Sequence, residues 1–249
     1  MIIAIANHKG GSGKTTTSIN LGVALSLLGK KVLLIDLDPQ GNLTYSLDIE
    51  SSSYTISDII LGNKNFQEVL VSREGVDVIP SNMDLADIEL TIQGLPNRLN
   101  VLSEIIIPYK DQYDYILIDC APSKSLLTIN ALVLADKVLT TVLLDVLSIQ
   151  GLNQLVKTIA DVKKGYNKSL SFLGILPVNV DMRNNISKEI VSFIKDNFEI
   201  PLLKSYIRSN VKITEAPSHG ESIFKYSPNS NGAKDYTSLV KEIINLNNI

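Results

Sequence analysis

Cysteine is all but missing from this 249-residue chain, and its single occurrence, Cys120, excludes an intrachain disulfide. The residue ends an apolar run, which is the setting of a structural thiol and not of a reactive one. One thiol per chain also falls short of the cysteine set that an iron–sulfur cluster needs. Histidine is equally scarce: His8 and His219 are the only two, and they read as loop residues, not as a catalytic or metal pair. Long apolar runs are absent. The first, Ile2–Ala6, is five residues long and lacks a basic flank, which excludes a secretory signal. No stretch reaches the roughly 18 apolar residues of a membrane span. No internal repeat or low-complexity linker interrupts the chain, which at 45% hydrophobic and 20% charged residues can bury the core of one α/β unit. A cytoplasmic protein with a single domain over residues 1–249 is expected, without a DNA-binding extension ahead of the first strand.

What is present starts at His8-Lys9-Gly10-Gly11-Ser12-Gly13-Lys14-Thr15-Thr16. Before it, Ile2–Ala6 has the length and β-branched content of a buried strand. After it, Ser18–Leu28 returns apolar residues at helical spacing: Ile19, Val23 and Leu27, with Leu21, Leu25 and Leu28. Strand, glycine loop and helix start, in that order, make a phosphate cradle. Glycines let backbone N–H groups converge on phosphate oxygens, and the helix N-terminus adds partial positive charge. Gly10, Gly11, Ser12, Gly13, Lys14, Thr15 and Thr16 are the candidate cradle, with Lys14 directed at the β- and γ-phosphates and the Thr15 hydroxyl at Mg²⁺. The spacing fits G-x-x-x-x-G-K-[ST] in a deviant form, because His8 stands where the first glycine would be.

Two further apolar runs end in acids. Lys31–Ile35 leads into Asp36-Leu37-Asp38-Pro39-Gln40-Gly41-Asn42, and Tyr115–Ile118 ends in Asp119. Carboxylates at the carboxyl ends of parallel strands sit where open α/β sheets bind ligands. Asp119 is placed to hold Mg²⁺ directly or through water, since that ion takes oxygen ligands and keeps several waters. Strands are predicted at Ile2–Ala6, Val32–Asp36, Val76–Pro80, Tyr115–Asp119, Lys137–Leu143 and Phe172–Val178. Helices are predicted at Asn97–Ile107, Ser125–Ala135, Ile149–Tyr166 and Ile186–Phe198. This alternation predicts an α/β fold: a single doubly wound, mainly parallel sheet with helices on both faces.

The loop resembles the deviant Walker A sequence K-G-G-x-x-G-K-[ST] of the ParA/MinD superfamily of P-loop NTPases. The resemblance to the ParA/Soj branch spans the whole chain. Asp36–Asn42 is similar to that family's D-x-D-P-Q-x-N, Asp119-Cys120-Ala121-Pro122-Ser123 to D-C-P-P-S, and Asn210–Gly220 to N-V-R-L-S-E-A-P-S-H-G. It implies ATP and Mg²⁺ as cofactors, hydrolysis to ADP and phosphate, and an ATP-bound sandwich homodimer. It also implies non-specific binding of double-stranded DNA in that state, on the nucleoid. A ParB-like or other cargo-adaptor protein would stimulate hydrolysis and release the dimer, so that a chromosome, plasmid or protein organelle is positioned. Residue by residue, the resemblance gives Lys9 a reach across the dimer interface to the second nucleotide. It gives Asp38 the attacking water, and Asp36 and Asp119 the metal through its hydration shell. Asn210 would lie near the adenine, while Arg183, Arg208 and Lys212 would meet DNA phosphates, with Lys188 and Lys204 as neighbours.

The chain departs from the family in places. Val142–Gly151 stands where relatives read V-Q-x-E-Y-Y-A-L-E-G, so the glutamate is shortened to Asp145 and polar positions have become apolar. Lys124-Ser125 replaces L-G, and Ile207–Asn210 replaces I-P-R-N. Net charge is −3, but residues 1–150 carry 10 basic and 17 acidic residues against 13 and 9 in residues 151–249. A −7/+4 division suits an acidic catalytic half and a locally basic face. The alternative is a MinD-like ATPase acting at a membrane surface. Its anchor would have to be the terminal helix with Leu239, Val240, Ile243, Ile244 and Leu246. The polar face there mixes Lys241 with Glu242, Asn245 and Asn247, which instead predicts a helix docked on the sheet.

Overall fold

The computed structural model describes residues 1–49, 54–181 and 183–247. Met182, inside the segment read for DNA contact, and the side chain of Asn247 lie outside the described residues.

Continuous apolar runs build the centre of the sheet because both of their faces are covered, the condition under which strands lose the apolar/polar alternation. β1 (Ile2–Ile5) and β2 (Val32–Leu37) are buried at every position. β3 (Val71–Arg73), β4 (Val76–Ile79), β5 (Tyr115–Cys120), β6 (Lys137–Leu143) and β7 (Ser171–Val178) complete a seven-stranded sheet of order β3-β4-β2-β5-β1-β6-β7. All pairings are parallel except β3 with β4, which are joined by Glu74 and Gly75 at φ 48° and 80°. A two-residue turn with positive φ at both positions carries the right-handed twist of a hairpin. With one antiparallel edge pair the sheet is mainly parallel as expected, and β3 is a strand that the sequence pattern did not predict.

Helices cover both faces. α1 (Lys14–Leu27), α2 (Asn42–Ser46), α11 (Ile223–Tyr226) and α12 (Asn231–Asn247) close one side around Ile3, Ile5, Leu34 and Leu117. The other face, around Ala4, Leu33, Ile35 and Ile118, is covered by α3 (Ile56–Ile60), α4 (Phe66–Val69), α5 (Asp84–Gln93), α6 (Val101–Ile106), α7 (Leu126–Leu134) and α8 (Val146–Gly165). α9 (Asn185–Asn197) packs Ile190 and Ile194 on Val142 and Ile175 near the β7 edge, and the short α10 (Val211–Glu215) follows. Residues alternate between the faces along β1, as a period of two requires.

Helix boundaries shift where caps decide them. α8 starts at Val146, ahead of the predicted Ile149, because the Asp145 side chain accepts the Ser148 N–H at 2.8 Å. The helix predicted from Asn97 forms only from Val101, and its last turn tightens into a 3₁₀ segment, Ile107–Gln112, at Pro108. α1 begins at Lys14, four residues before the predicted run. α12 buries Leu239, Val240 and Ile243, so its apolar stripe is spent inside the protein while Leu246 stays exposed. No helix among the described residues is long and apolar enough to cross a membrane.

Candidate functional site

β2, β5 and β1 are neighbours in the middle of the sheet, so the three segments singled out in the sequence converge at the carboxyl ends of these strands. Gly11 and Gly13 take φ of 67° and 77° between β1 and α1. At Gly13 a side chain would also meet Val178, at 3.3 Å from its Cγ2, so only glycine serves there. Lys14 opens α1 nearly buried, its Nζ donating to the Lys9 carbonyl oxygen at 3.2 Å. Burial pulls its pKa down, opposed by Asp119, Cys120 and Asp38. The Thr15 hydroxyl donates to Asp119 Oδ2 at 2.7 Å, and the Ser18 hydroxyl to Asp119 Oδ1 at 2.9 Å.

Asp36 and Asp119 are register partners across β2 and β5, both essentially inaccessible to solvent. Thr44 holds Asp36 Oδ2 with its N–H at 2.9 Å and its hydroxyl at 2.7 Å, and the Asp38 N–H donates to Oδ1 at 3.2 Å. Burial nonetheless raises Asp36 to about 6. Burial, followed by the Asp36 charge, raises Asp119 to about 7. Two buried carboxylates that resist ionising together stand beside a threonine hydroxyl, and all three present oxygen, the donor type that hard cations take. The described residues contain no cluster of three or more acidic, histidine or cysteine side chains able to hold a metal alone. Asp38 is buried beside this pair; its Oδ1 accepts the Gln40 N–H at 2.9 Å, and its carbonyl oxygen accepts the Ser81 hydroxyl at 2.9 Å.

Lys9 is clasped within its own chain. Its Nζ donates to Asp145 Oδ2 at 2.7 Å, Asp145 Oδ1 at 2.9 Å and Ser148 Oγ at 3.1 Å. The lysine hydrogen bond and the Ser148 N–H outweigh desolvation and hold the Asp145 carboxyl below its ordinary range. The shortened acid at position 145 thus caps α8 and grips Lys9 at once. Ser125, where relatives read glycine, caps α7 by accepting the Thr128 N–H at 3.1 Å.

A cavity of about 270 Å³ beside the glycine loop is lined by Gly13, Thr16, Asn179, Arg208, Asn210 and Tyr236, among others. Asn210 is among its lining residues, and its side-chain Oδ1 accepts the Lys212 N–H at 2.9 Å to cap α10. Asn179, at φ 54°, and Tyr236, far along the chain, carried no sequence signal for this pocket. Thr44, Ser18 and Ser81 were likewise missed; of these only Ser18, one turn after Lys14, was within reach of spacing.

The expected DNA-contacting cations are each ion-paired. Arg183 meets Asp181 at 2.6 Å, Arg208 meets Asp235 at 2.5 Å and Lys212 meets Glu215 at 2.9 Å. Hydrogen bonds from Arg183 pull Asp181 down to about 2. Arg208 also lines the cavity beside the glycine loop. His8 lies near the Thr158 hydroxyl, at 3.3 Å, and His219 stacks on Tyr226, so the histidines do not form a pair. Cys120 is buried, and burial pushes its thiol up, as a structural residue requires.

A parallel sheet with a glycine loop between β1 and α1, and acids closing β2 and β5, defines a P-loop protein of the ParA/MinD kind. Residues 1–172 match the family model described as AAA domain. The sporulation initiation inhibitor protein Soj of Bacillus subtilis is 41% identical over 246 residues, covering 97% of each chain. The chromosome partitioning protein ParA of Caulobacter vibrioides is 36% identical over 249 residues, covering 98% of this chain and 93% of its own. A solved structure of cobyrinic acid a,c-diamide synthase from Mycobacterium smegmatis, with bound ADP and magnesium, has a TM-score of 0.86 at 32% identity, covering 98% of this chain and 93% of that one. The chain belongs to the Soj/ParA family of partitioning ATPases.

Proposed function

We infer that this protein is an Mg²⁺-dependent ATPase that hydrolyses ATP to ADP and phosphate. In its ATP-bound form it is a homodimer that holds DNA without sequence preference and positions a cargo. The observation that carries this reading is the meeting of Lys14, Thr15, Asp119, Asp36 and Asp38 at the carboxyl ends of the central strands, in a chain 41% identical to Soj. The glycine loop would take the phosphates on its N–H groups, with Lys14 against the β- and γ-oxygens. Thr15 would give its hydroxyl to Mg²⁺, with Asp36 and Asp119 behind the metal's waters. Bound Mg²⁺ supplies charge neutralisation on the phosphates. Asp38 would turn from the Gln40 N–H to orient the attacking water. Lys9, once released from Asp145, would cross to the second nucleotide and make ATP binding and dimerisation one event.

Arg183 and Lys212 would exchange Asp181 and Glu215 for DNA phosphates, a replacement that salt weakens steeply. A ParB-like or other adaptor would stimulate turnover, and the protein would reside in the cytoplasm on the nucleoid. Burial of Leu239, Val240 and Ile243 argues against a membrane anchor at the terminal helix. Titration of wild type and Lys14→Ala with ATP tests the site. Wild type binds and turns over ATP only with Mg²⁺, the variant loses binding, and retained affinity in the variant removes the phosphate-loop assignment.

A further inference from the structure

The cavity beside the glycine loop takes apolar lining from Leu143, Val178, Ile207 and Ile213, with a few polar side chains between them. Apolar walls with sparse polar groups suit a flat heterocycle held on its faces and read at its edge. Gly11, Gly13 and Thr16 line the same cavity, so a heterocycle joined to phosphates on the glycine loop reaches it. Asn179 follows the last residue of β7 with φ at 54°, the left-handed region that asparagine enters more readily than most side chains. Its side chain is exposed and enters no hydrogen bond among the described residues. It therefore offers the cavity a carboxamide donor and acceptor side by side.

The other polar side chains of the cavity are committed elsewhere. Arg208 Nε donates to both Asp235 carboxylate oxygens at 3.0 Å, and its Nη2 donates to Asp235 Oδ1 at 2.5 Å. Asp235 is itself buried and also accepts the Arg208 N–H at 3.0 Å, which fixes the guanidinium against α12. Asn210 Oδ1 is taken by the Lys212 N–H, and the Tyr236 hydroxyl lies 3.3 Å from Thr17 Oγ1. Thr214 brings only a single hydroxyl. An amino group beside a ring nitrogen, the N6 and N7 edge of adenine, is the partner that a carboxamide meets with two hydrogen bonds. We propose that Asn179 is the base-reading residue of this chain, accepting from the 6-amino group of adenine and donating to the neighbouring ring nitrogen. The proposal rests on the nucleotide-binding reading above.

Equilibrium binding of ATP and of purine riboside triphosphate, which has hydrogen in place of the 6-amino group, tests this with Mg²⁺ present. The proteins compared are wild type, Asn179→Gly and Thr214→Ala. Glycine takes positive φ without strain, so Asn179→Gly removes the amide and keeps the backbone. Wild type is expected to bind ATP about fivefold or more tightly than the analogue, as one or two net hydrogen bonds allow. In Asn179→Gly that ratio should fall below about twofold because ATP weakens while the analogue does not, and Thr214→Ala should keep the wild-type ratio. A purely structural role for Asn179 would weaken both ligands together. An unchanged ratio in Asn179→Gly, equal weakening of both ligands, no preference for ATP in wild type, or loss of the preference in Thr214→Ala overturns the proposal. Failure of wild type to bind either triphosphate overturns the nucleotide-binding reading and the proposal with it, which separates the two failures.

Discussion

Thr44→Val removes a hydroxyl without removing volume, and its cost can be worked from three hydrogen bonds. In the native protein Thr44 Oγ1 donates to Asp36 Oδ2 at 2.7 Å and accepts the Ser81 N–H at 2.9 Å, while the Thr44 N–H donation to Asp36 survives the substitution. A bond to an ionised carboxylate contributes about 1.5–3 kcal/mol, and an orphaned buried N–H costs about 1–3 kcal/mol. The expected loss at pH 8, where Asp36 at about 6 is ionised, is therefore on the order of 3–5 kcal/mol. Removing a donor to the ionised form raises the folded-state pKa further, so the loss is complete above that value and shrinks as pH falls below it. Urea unfolding of nucleotide-free wild type and variant at pH 8 and pH 5 measures both quantities. A loss below about 1 kcal/mol, or one equal at the two pH values, refutes the assignment of Asp36 as a buried carboxylate ionised at neutral pH and held by Thr44.

Without nucleotide, stability should fall as pH rises from about 5 to 7. Asp36 and Asp119 are raised by burial, so the folded chain binds more protons than the unfolded one in that window. His8, lowered first by burial, acts in the opposite sense, but it is a half-buried group set against two fully buried ones. Asp145 and Asp181 are lowered, and their contributions are lost only at more acid pH. Thermal melts across this range check the slope, and Mg²⁺ with ATP should flatten or reverse it; rising stability of the nucleotide-free protein contradicts the carboxylate pair. Lys9→Ala should keep ATP binding by the single chain and lose ATP-dependent dimers on a sizing column, and unchanged dimers would remove the cross-interface role.

Legibility followed sequence distance and burial. β1, β2 and β5 declared themselves because strands buried on both faces are continuous apolar runs, and the acids near the ends of β2 and β5 fall at the carboxyl end of a parallel sheet. β3 did not, since Val71-Ser72-Arg73 is short, half-exposed and defined by its pairing across the Glu74-Gly75 turn. Lys9 was singled out from the glycine loop, but its clasp on Asp145 joins residues 136 apart and needed coordinates. The cavity beside the glycine loop draws Asn179 and Tyr236 from different parts of the chain, again without a local pattern. Charge counting gave the second half a net positive balance, yet it did not register that Arg183 and Lys212 each have an acid two or three residues away. Those near neighbours were visible, and helical or turn geometry brings such pairs into contact.

The most direct test of the account is binding of Asp38→Ala protein to a non-specific DNA duplex with Mg²⁺-ATP against Mg²⁺-ADP across a salt series, beside the same protein carrying Arg183→Ala or Lys212→Ala. The substitution at Asp38 keeps the ATP state from being hydrolysed. Tight binding with ATP alone, weakened steeply by salt and lost in the two basic-residue variants, is the predicted result. ATP-dependent dimers that bind no DNA in either nucleotide state would contradict it.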